Sequence, residues 1–118
     1  MSPVGAGAGP DERERRILDV IRALRSGEVT TYGDVAETAG YPKRSRLVGR
    51  ILATTDADVP WWRVVNASGQ LRASDVREQA ALLRSEDVIV LDGRVRDAPS
   101  GRFSRSRPRP SRSHPPRP

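Results

Sequence analysis

The fold of this chain is decided by residues 31–54, which read TYGDVAETAGYPKRSRLVGRILAT. We predict a short helix over Tyr32–Ala39, because Thr31 can cap it with its hydroxyl and Asp34 follows at the third helical position, close to a capping-box arrangement. Gly40-Tyr41-Pro42 ends this helix in a turn, because glycine accepts the left-handed backbone found at helix C-termini.

A second helix is predicted over residues 43–54, with Pro42 opening it. Its apolar face carries Leu47, Val48, Ile51 and Leu52. Its exposed basic residues are Lys43, Arg44, Arg46 and Arg50. Two short helices joined by a tight glycine-containing turn, the second rich in arginine, are typical of a helix-turn-helix.

The flanking segments supply further helices and short strands. An amphipathic helix over about residues 11–26 precedes the helix pair, with its apolar stripe at Ile17, Val20, Ile21 and Leu24. Residues 64–66 and 70–72 flank a glycine turn and predict a short hairpin. Ser74 is then expected to cap a last helix whose inward residues are Val76, Ala80 and Leu83.

A final ribbon is predicted over residues 88–91 and 95, around Asp92-Gly93, and it is the natural place for a wing. The elements together predict an α+β fold that is mostly helical, a winged helix-turn-helix DNA-binding domain. We place this domain at residues 11–97, between a leader at 1–10 and an Arg/Pro/Ser-rich tail at 98–118. Both ends are expected to be disordered, because neither has enough apolar surface to offset its ordering entropy.

The composition excludes several chemistries. The chain has no cysteine and one histidine, His114, which lies among prolines near the C-terminus. A cysteine nucleophile, a thiolate metal site and a histidine-based triad are therefore ruled out, and we expect no metal, no cofactor and no enzymatic activity. No apolar run approaches the roughly 20 residues of a membrane span, and no secretory signal is visible, so a cytoplasmic protein without membrane contact is expected.

The charge distribution indicates a polyanionic partner. The formal net charge is +6, and residues 98–118 carry six arginines and no acid, which leaves residues 1–97 neutral. Within that neutral part, the segment 43–72 is basic and its two flanks are acidic. A solvated mixed-charge surface, the alternative, would spread the two signs evenly.

Three ordered blocks carry a resemblance to a known family. They are GEVTTYGDVA at 27–36, GYPKRSRLVG at 40–49 and PWWRVVNASG at 60–69. They resemble the O6-alkylguanine-DNA alkyltransferases over about residues 11–95. In those enzymes the third block contains the cysteine that takes the alkyl group, whereas Trp61 stands at that place here, as in the alkyltransferase-like proteins that bind alkylated guanine without repairing it.

The resemblance also implies roles for individual residues. Arg46 matches the arginine finger that fills the space of a flipped base, and Tyr32 matches the tyrosine that crowds the 3′ phosphate of the target nucleotide. The helix carrying Arg46 is expected in the minor groove. The implied DNA-binding residues are Thr31, Tyr32, Arg44, Ser45, Arg46, Gly49 and Arg50. The implied lesion pocket comprises Tyr32, Pro60, Trp61, Trp62, Arg63, Val64, Val65, Arg72 and Ser74.

Two departures from the family pattern affect the expected chemistry. Trp62 stands where the family has a histidine, so the proton relay is absent, and Glu86, which sits near the place of the glutamate that orients that histidine, is expected to have nothing to orient. The residue that reads the purine is left open between Arg72 and the region of Ser74.

The function predicted in this way is non-enzymatic recognition of O6-alkylguanine in double-stranded DNA by a monomer, through base flipping. By resemblance, the complex marks the lesion for nucleotide excision repair proteins, at the nucleoid. The alternative is a winged-helix transcriptional regulator that reads sequence in the major groove. A third hypothesis is an enzyme that uses Ser68 or Ser74 as its nucleophile. The predicted core has no histidine to activate either hydroxyl, which argues against it.

Overall fold

A computed structural model describes residues 10–72 and 75–106 of the chain. The elements in chain order are α1 (Pro10–Arg22), β1 (Thr30–Thr31), α2 (Tyr32–Ala39), α3 (Ser45–Thr54), a 3-10 turn (Trp61–Arg63), β2 (Val64–Val65), α4 (Val76–Ser85), β3 (Ile89–Leu91) and β4 (Arg94–Asp97). The result is a small α+β fold in which helices predominate. In the described part of the chain, no helix is long and apolar enough to cross a membrane.

The pair α2 and α3 lies close to where the sequence places it. The Asp34 N–H donates to the Thr31 hydroxyl at 3.0 Å, so Thr31 caps α2 as predicted. The start predicted for α3 is wrong by two residues. Lys43 takes a left-handed backbone with φ 67° and Arg44 is the non-helical N-cap, so α3 begins at Ser45. Similarly, α1 ends at Arg22 rather than near residue 26, in a turn that precedes Gly27.

The short strands differ most from expectation. The hairpin predicted from residues 64–66 and 70–72 does not form. Instead, β2 pairs in parallel with β1, with Thr30 opposite Val64, and Gln70 bridges to Arg94 of β4. The reason is burial, since Val64 and Val65 are both 0% exposed and two consecutive buried residues need cover on both faces of a strand.

The last helix also departs from prediction at its start and along its inner face. Asp75 caps α4 by accepting from the Glu78 N–H at 2.9 Å, and Ser74 lies outside the described residues. Leu83 is buried as predicted, but Val76 is 41% exposed and the fully buried residue of the first turn and a half is Gln79. Its amide donates to the carbonyls of Trp62 and Val64, both at 3.1 Å, which holds α4 against the turn before β2.

The predicted final ribbon is an antiparallel pair, β3 and β4, joined through Asp92 and Gly93. Both turn residues have positive φ, as a two-residue hairpin loop requires. The outer face of β3 exposes Ile89 and Leu91. The role of this ribbon as a DNA-contacting wing stays a prediction.

The core consists of two clusters that meet at β2. Val64 packs in the first cluster, with apolar residues of α1, α2 and α3, and the adjacent Val65 packs in the second, with Leu83 of α4 and residues of the ribbon. Because neighbouring strand residues point to opposite faces, β2 lies between the two clusters.

The structure differs from the domain boundary predicted at residue 97. Ala98 is buried, Phe103 packs against the second cluster, and Ser106 is only 7% exposed. The charge and proline content of this segment favours disorder, but one aromatic ring and backbone hydrogen bonds hold it against the body of the protein. The predicted leader up to residue 9 and the tail from residue 107 lie outside the described residues, and their disorder stays a prediction.

Candidate nucleic-acid interface

A cavity of about 990 Å³ opens between α2, α3, the segment 55–61 and the start of α4. Predicted site residues that line it are Tyr32, Ser45, Arg46, Gly49, Trp61 and Arg72. These residues come from four segments of the fold, and the two residues assigned to base flipping, Tyr32 and Arg46, line the same cavity as Trp61.

Trp61 is positioned by the 3-10 turn that follows Pro60. Its ring is half-buried against the first core cluster, whereas Trp62 packs against the second. The two ring centroids lie 5.9 Å apart with an interplanar angle of 88°. One tryptophan therefore forms a wall of the cavity, while its neighbour anchors the turn from the opposite side.

Arg46 lies in the first turn of α3, is exposed, and forms no ion pair with any residue in the described ranges. Gly49 follows it on the same helix, and a Cβ built on Gly49 would meet nothing within 4 Å. The surface of α3 beside Arg46 is thus open. A flat, open helix surface allows a nucleic-acid backbone to approach closely.

Tyr32 is the first residue of α2, half-buried against the first cluster. Burial raises the pKa of its phenol, and the nearby positive charge of Arg72 opposes that rise only in part. The phenol is therefore protonated at neutral pH, and it can donate as well as accept a hydrogen bond. Arg72 is exposed and lines the same cavity.

Several predicted pocket residues do not line this cavity. Val64 and Val65 are fully buried in the two core clusters, and Trp62 and Arg63 turn toward α4. Pro60 only sets the start of the turn. Among the predicted DNA-binding residues, Thr31 uses its hydroxyl to cap α2, and Arg44 and Arg50 are exposed outside the cavity. Ser74 lies outside the described residues.

The Glu86 carboxylate is the centre of a partly buried network, and the expectation that it has nothing to orient is wrong. It accepts three hydrogen bonds of 2.9 Å, from the Trp62 indole Nε1–H, the Arg63 Nε–H and the Gly27 backbone N–H. Arg63 also donates to the Leu24 carbonyl at 2.8 Å and lies over the Trp62 ring. The network fixes the turn that presents Trp61.

This network also sets the charge state of Glu86. Burial alone would raise the pKa of its carboxyl, but the hydrogen bonds from Arg63, Gly27 and Trp62 together outweigh burial and lower the pKa below its ordinary value. The carboxylate is thus charged at neutral pH and paired with Arg63.

The acidic side of the cavity was not predicted from the sequence. Four carboxylates line it, from Asp56, Asp58, Asp75 and Glu78. The run Asp56-Ala57-Asp58, directly before Val59-Pro60-Trp61, was the available signal. The cavity is thus lined by two arginines, Arg46 on α3 and Arg72 after Leu71, and by four acidic residues. In the described ranges, no group of three or more side chains is arranged to hold a metal ion.

Comparison with known proteins identifies the family of this chain. Residues 12–88 match the family model described as 6-O-methylguanine DNA methyltransferase, DNA binding domain. A DNA base-flipping protein of Escherichia coli is 39% identical over 84 residues, which are 68% of this chain and 65% of that protein, so the chain spans a little under two thirds of that relative. A DNA base-flipping protein of Vibrio parahaemolyticus is 37% identical over 64% of this chain and 79% of its own length. The chain therefore belongs to the 6-O-methylguanine DNA methyltransferase DNA-binding-domain family.

Solved structures show the same fold. Alkyltransferase-like protein 1 of Schizosaccharomyces pombe, in complex with damaged DNA containing O6-carboxymethylguanine, superposes with a TM-score of 0.64 at 29% identity, covering 70% of this chain and 82% of that one. A DNA complex of a Mycobacterium tuberculosis O6-methylguanine methyltransferase superposes with a TM-score of 0.61 at 30% identity, over 67% of this chain and 50% of that one.

Proposed function

We infer that this protein recognises O6-alkylguanine in double-stranded DNA, rotates the lesion out of the stack into the cavity, and leaves the alkyl group in place. The observation that carries this inference is the convergence of Tyr32, Arg46 and Trp61 on one cavity of about 990 Å³, with tryptophan at the place where related enzymes carry their cysteine. Relatives named as base-flipping proteins, and one solved with damaged DNA, support it.

Each of the three residues has a physical task in base flipping. The exposed guanidinium of Arg46 on α3 is free to enter the helical stack and replace the contacts of the departed base, with α3 in the minor groove. Tyr32, at the start of α2, lies beside backbone N–H groups that attract a phosphate. Trp61 offers a ring face to the flipped base, and such stacking is worth roughly 1–3 kcal/mol against a flipping cost of a few kcal/mol.

Arg72 is the residue we assign to reading the purine. It lines the cavity with Trp61 and lies near enough to Tyr32 to influence the pKa of its phenol. A guanidinium can donate two parallel hydrogen bonds to acceptors on a base edge, and O6-alkylation turns the guanine N1–H donor into an acceptor. Lesion and normal base then differ in the contacts they offer Arg72.

The absence of alkyl transfer follows from the side chains in the site. The chain has no cysteine, and Trp62, which replaces the relay histidine, uses its indole N–H on Glu86. An indole nitrogen donates and cannot act as a base. A monomer of this kind acts by marking the lesion, and we assign the marked DNA to nucleotide excision repair proteins at the nucleoid.

The decisive test compares binding of this protein to two duplexes that differ only in carrying guanine or O6-methylguanine at one position. Tighter binding to the modified duplex, with the methyl group retained after long incubation, is the expected result. Equal affinity for the two duplexes would refute lesion recognition, and a sequence preference without lesion preference would indicate a transcriptional regulator instead.

Variants of α3 separate flipping from general DNA affinity. Arg46→Ala is expected to remove most of the preference for the modified duplex, a loss of about 2–3 kcal/mol, because the vacated stack is no longer filled. The matched control is Arg50→Ala, an exposed arginine on the same helix that does not line the cavity. It should weaken binding to both duplexes by similar factors. A fluorescent base analogue opposite the lesion reports stacking, and unchanged flipping in Arg46→Ala would contradict the assignment.

A further inference from the structure

Gln79 is a polar side chain of α4 that has no exposed surface. Its amide Nε2 donates two hydrogen bonds, to the carbonyl oxygens of Trp62 and Val64, both at 3.1 Å. A side-chain amide nitrogen carries two protons, and each of them binds a backbone acceptor here. Gln79 therefore holds the main chain at two points, one on either side of Arg63.

The two carbonyls belong to the 3-10 turn and to the strand that follows it. Within the turn, the Arg63 N–H donates to the Pro60 carbonyl at 3.1 Å. The Val64 N–H donates to the Trp61 carbonyl. These bonds use the carbonyls of residues 60 and 61, whereas Gln79 binds those of residues 62 and 64. Because a buried carbonyl needs a donor, α4 and the turn depend on this one amide for their fit.

Glu86 holds the same turn from the far end of α4. Its carboxylate accepts from the side chains of Trp62 and Arg63. Gln79 and Glu86 are seven residues apart, which is about two helical turns, so they lie on the same side of α4. Glu86 binds side chains of the turn, whereas Gln79 binds its main chain directly, next to Trp61.

The position of the Trp61 ring depends on that main chain. The Trp61 N–H donates to the Val59 carbonyl at 2.7 Å, and the Trp62 carbonyl bound by Gln79 follows one residue later. The ring packs against the first core cluster and lines the cavity. A shift of residues 62–64 would therefore change the distance and the angle at which the ring faces the cavity.

We propose that Gln79 is a positioning residue for lesion recognition, which sets the orientation of the Trp61 ring by holding the main chain of the turn. This proposal rests on the proposed function, in which the flipped base stacks on that ring. Gln79 is fully buried and does not line the cavity, so it acts through Trp61 and not by touching the base. A ring that is already oriented before DNA binds loses less conformational entropy when the base arrives.

The first variant that tests this role is Gln79→Met, which keeps an unbranched side chain of similar length and removes both N–H donors. Its preference for an O6-methylguanine duplex over the unmodified duplex should fall about tenfold, the size of one well-stacked contact between a base and an aromatic ring. Its affinity for the unmodified duplex should stay within about twofold, because the exposed arginines of α3 are unchanged.

The matched control is Val90→Ala. Val90 is buried on β3 in the second core cluster, so its truncation removes apolar contacts without removing a hydrogen bond to the turn. This variant should lower the free energy of unfolding and keep the preference for the modified duplex.

Fluorine NMR of protein labelled with 5-fluorotryptophan observes the Trp61 ring directly, with and without DNA. The chain has two tryptophans, and Trp61→Phe assigns their resonances. In the parent chain the Trp61 resonance should be sharp and should shift when the O6-methylguanine duplex binds. In Gln79→Met it should be broadened in the free protein and shift less on binding, whereas Val90→Ala should resemble the parent chain.

Gln79→Glu keeps the shape of the side chain and tests the donor itself. At about pH 7.5 a carboxylate has no proton to donate, whereas at about pH 5.5 a buried carboxyl, whose pKa is raised by burial, donates its O–H to one of the carbonyls. The preference for the lesion should be lost at the higher pH and partly regained at the lower one. The parent chain should change little, because the lowered pKa of Glu86 keeps that group charged at both pH values.

The outcomes separate this proposal from the proposed function. An unchanged preference and an unchanged Trp61 resonance in folded Gln79→Met would overturn the proposal, as would an equal loss of preference in Val90→Ala. If Gln79→Met does not fold, Gln79→Glu decides, and the absence of any regain at the lower pH overturns the proposal. A parent chain that does not prefer the lesion would overturn the proposed function, while the Trp61 resonance of the free protein still shows whether Gln79 positions the ring.

Discussion

Glu86 has a task here that its position in the chain does not suggest. Its carboxylate joins the turn after α1, through Gly27, to the turn that carries Trp61, through Trp62 and Arg63. An indole N–H and a guanidinium thus occupy this acceptor, and the same contacts hold the turn that carries Trp61 in place.

Stability in acid should depend on this carboxylate. Because its pKa is lowered in the folded state, the stabilisation it provides is complete above the unfolded value near 4.5 and is lost as the pH falls through the folded value. Glu86→Gln should lower the free energy of unfolding at pH 7 by about 2–4 kcal/mol, since Arg63 is left without its anion. The difference between variant and parent should shrink below pH 4.5.

Denaturant unfolding at a series of pH values measures this effect. Glu37→Gln, an exposed glutamate on α2, is the control and should follow the parent chain at every pH. A Glu86→Gln variant whose deficit is the same at pH 3 and pH 7 would show that the ion pair is not the source of the stabilisation.

Placing a cysteine at residue 61 should not by itself create an alkyltransferase. A thiol reacts as its thiolate, with an ordinary pKa of about 8.5, and activation needs a neighbouring base or cation. Trp62 offers only an N–H donor, already bound to Glu86, and Arg63 is paired with the same carboxylate. Trp61→Cys should therefore show no rapid methyl transfer from an O6-methylguanine duplex.

Mass analysis of the protein after incubation with that duplex detects a transferred methyl group. The double variant Trp61→Cys, Trp62→His is the comparison, because it places an imidazole where Glu86 can accept its N–H. Fast transfer by the single variant would disprove the view that the missing relay limits the chemistry.

Only some residues of the site could be predicted from the sequence. Tyr32, Arg46 and Trp61 could be found because their three sequence blocks resemble those of the alkyltransferases, and the structure places all three on one cavity. Gln79 could not be predicted, because a polar residue on an amphipathic helix is expected to face solvent, whereas here its buried amide donates to the carbonyls of Trp62 and Val64.

At the scale of elements, the helices could be predicted better than the strand pairing, because capping residues and turn glycines lie next to the helix they define. The cap and the left-handed Gly40 define α2 within the chain itself. The partner of β2 lies 34 residues earlier in the sequence, so no local pattern near residues 64–70 could indicate it. The turn at Asn66–Gln70 was predicted correctly as a reversal, and only the pairing of its flanks was wrong.

The C-terminal strap, residues 98–106, packs against the body of the protein, and its contacts should add to the free energy of unfolding. Ending the chain after Asp97 removes the contacts of Ala98 and Phe103 with the second cluster and those of Ser106 with α2. This truncation should lower the free energy of unfolding by about 1–3 kcal/mol. The corresponding drop in Tm is about 5–20 °C for a domain of this size.

The control is a chain ended after Ser106, which keeps every strap contact described above. Thermal unfolding followed by circular dichroism compares the two truncations with the full chain. If both melt at the temperature of the full chain, the strap contributes no stability and residues 98–106 belong functionally to the tail.

For the whole molecule, the DNA affinity that comes from net charge should be separable from the preference for the lesion. All of the formal +6 lies beyond residue 97, whereas the cavity residues lie between 32 and 78. Ending the chain after Ser106 removes four arginines and should weaken binding to modified and unmodified duplexes of equal length by similar factors. The ratio of the two affinities should change by less than about twofold, because phosphate contacts carry no base information.

A salt titration of the full chain and of the chain ended after Ser106, each on both duplexes, gives four slopes of log K against log salt. The Arg46→Ala variant should show the opposite pattern. Its ratio of affinities for the modified and unmodified duplexes should collapse, while its slope of log K against log salt stays nearly unchanged. A ratio that collapses on truncation would mean that the segment after Ser106 reads the lesion itself.

The parallel pairing of β1 with β2 also has a consequence for how the molecule assembles. Thr30 and Val64 can meet only after the intervening loop closes, and that loop contains the whole α2–α3 pair. Non-local closure of this kind is slow compared with helix formation. Trp61 and Trp62 directly precede β2, so their fluorescence should change after most of the helical circular dichroism has developed in a refolding experiment. The arginine-bearing helix α3 would then exist for a time without the tryptophan wall that completes its cavity.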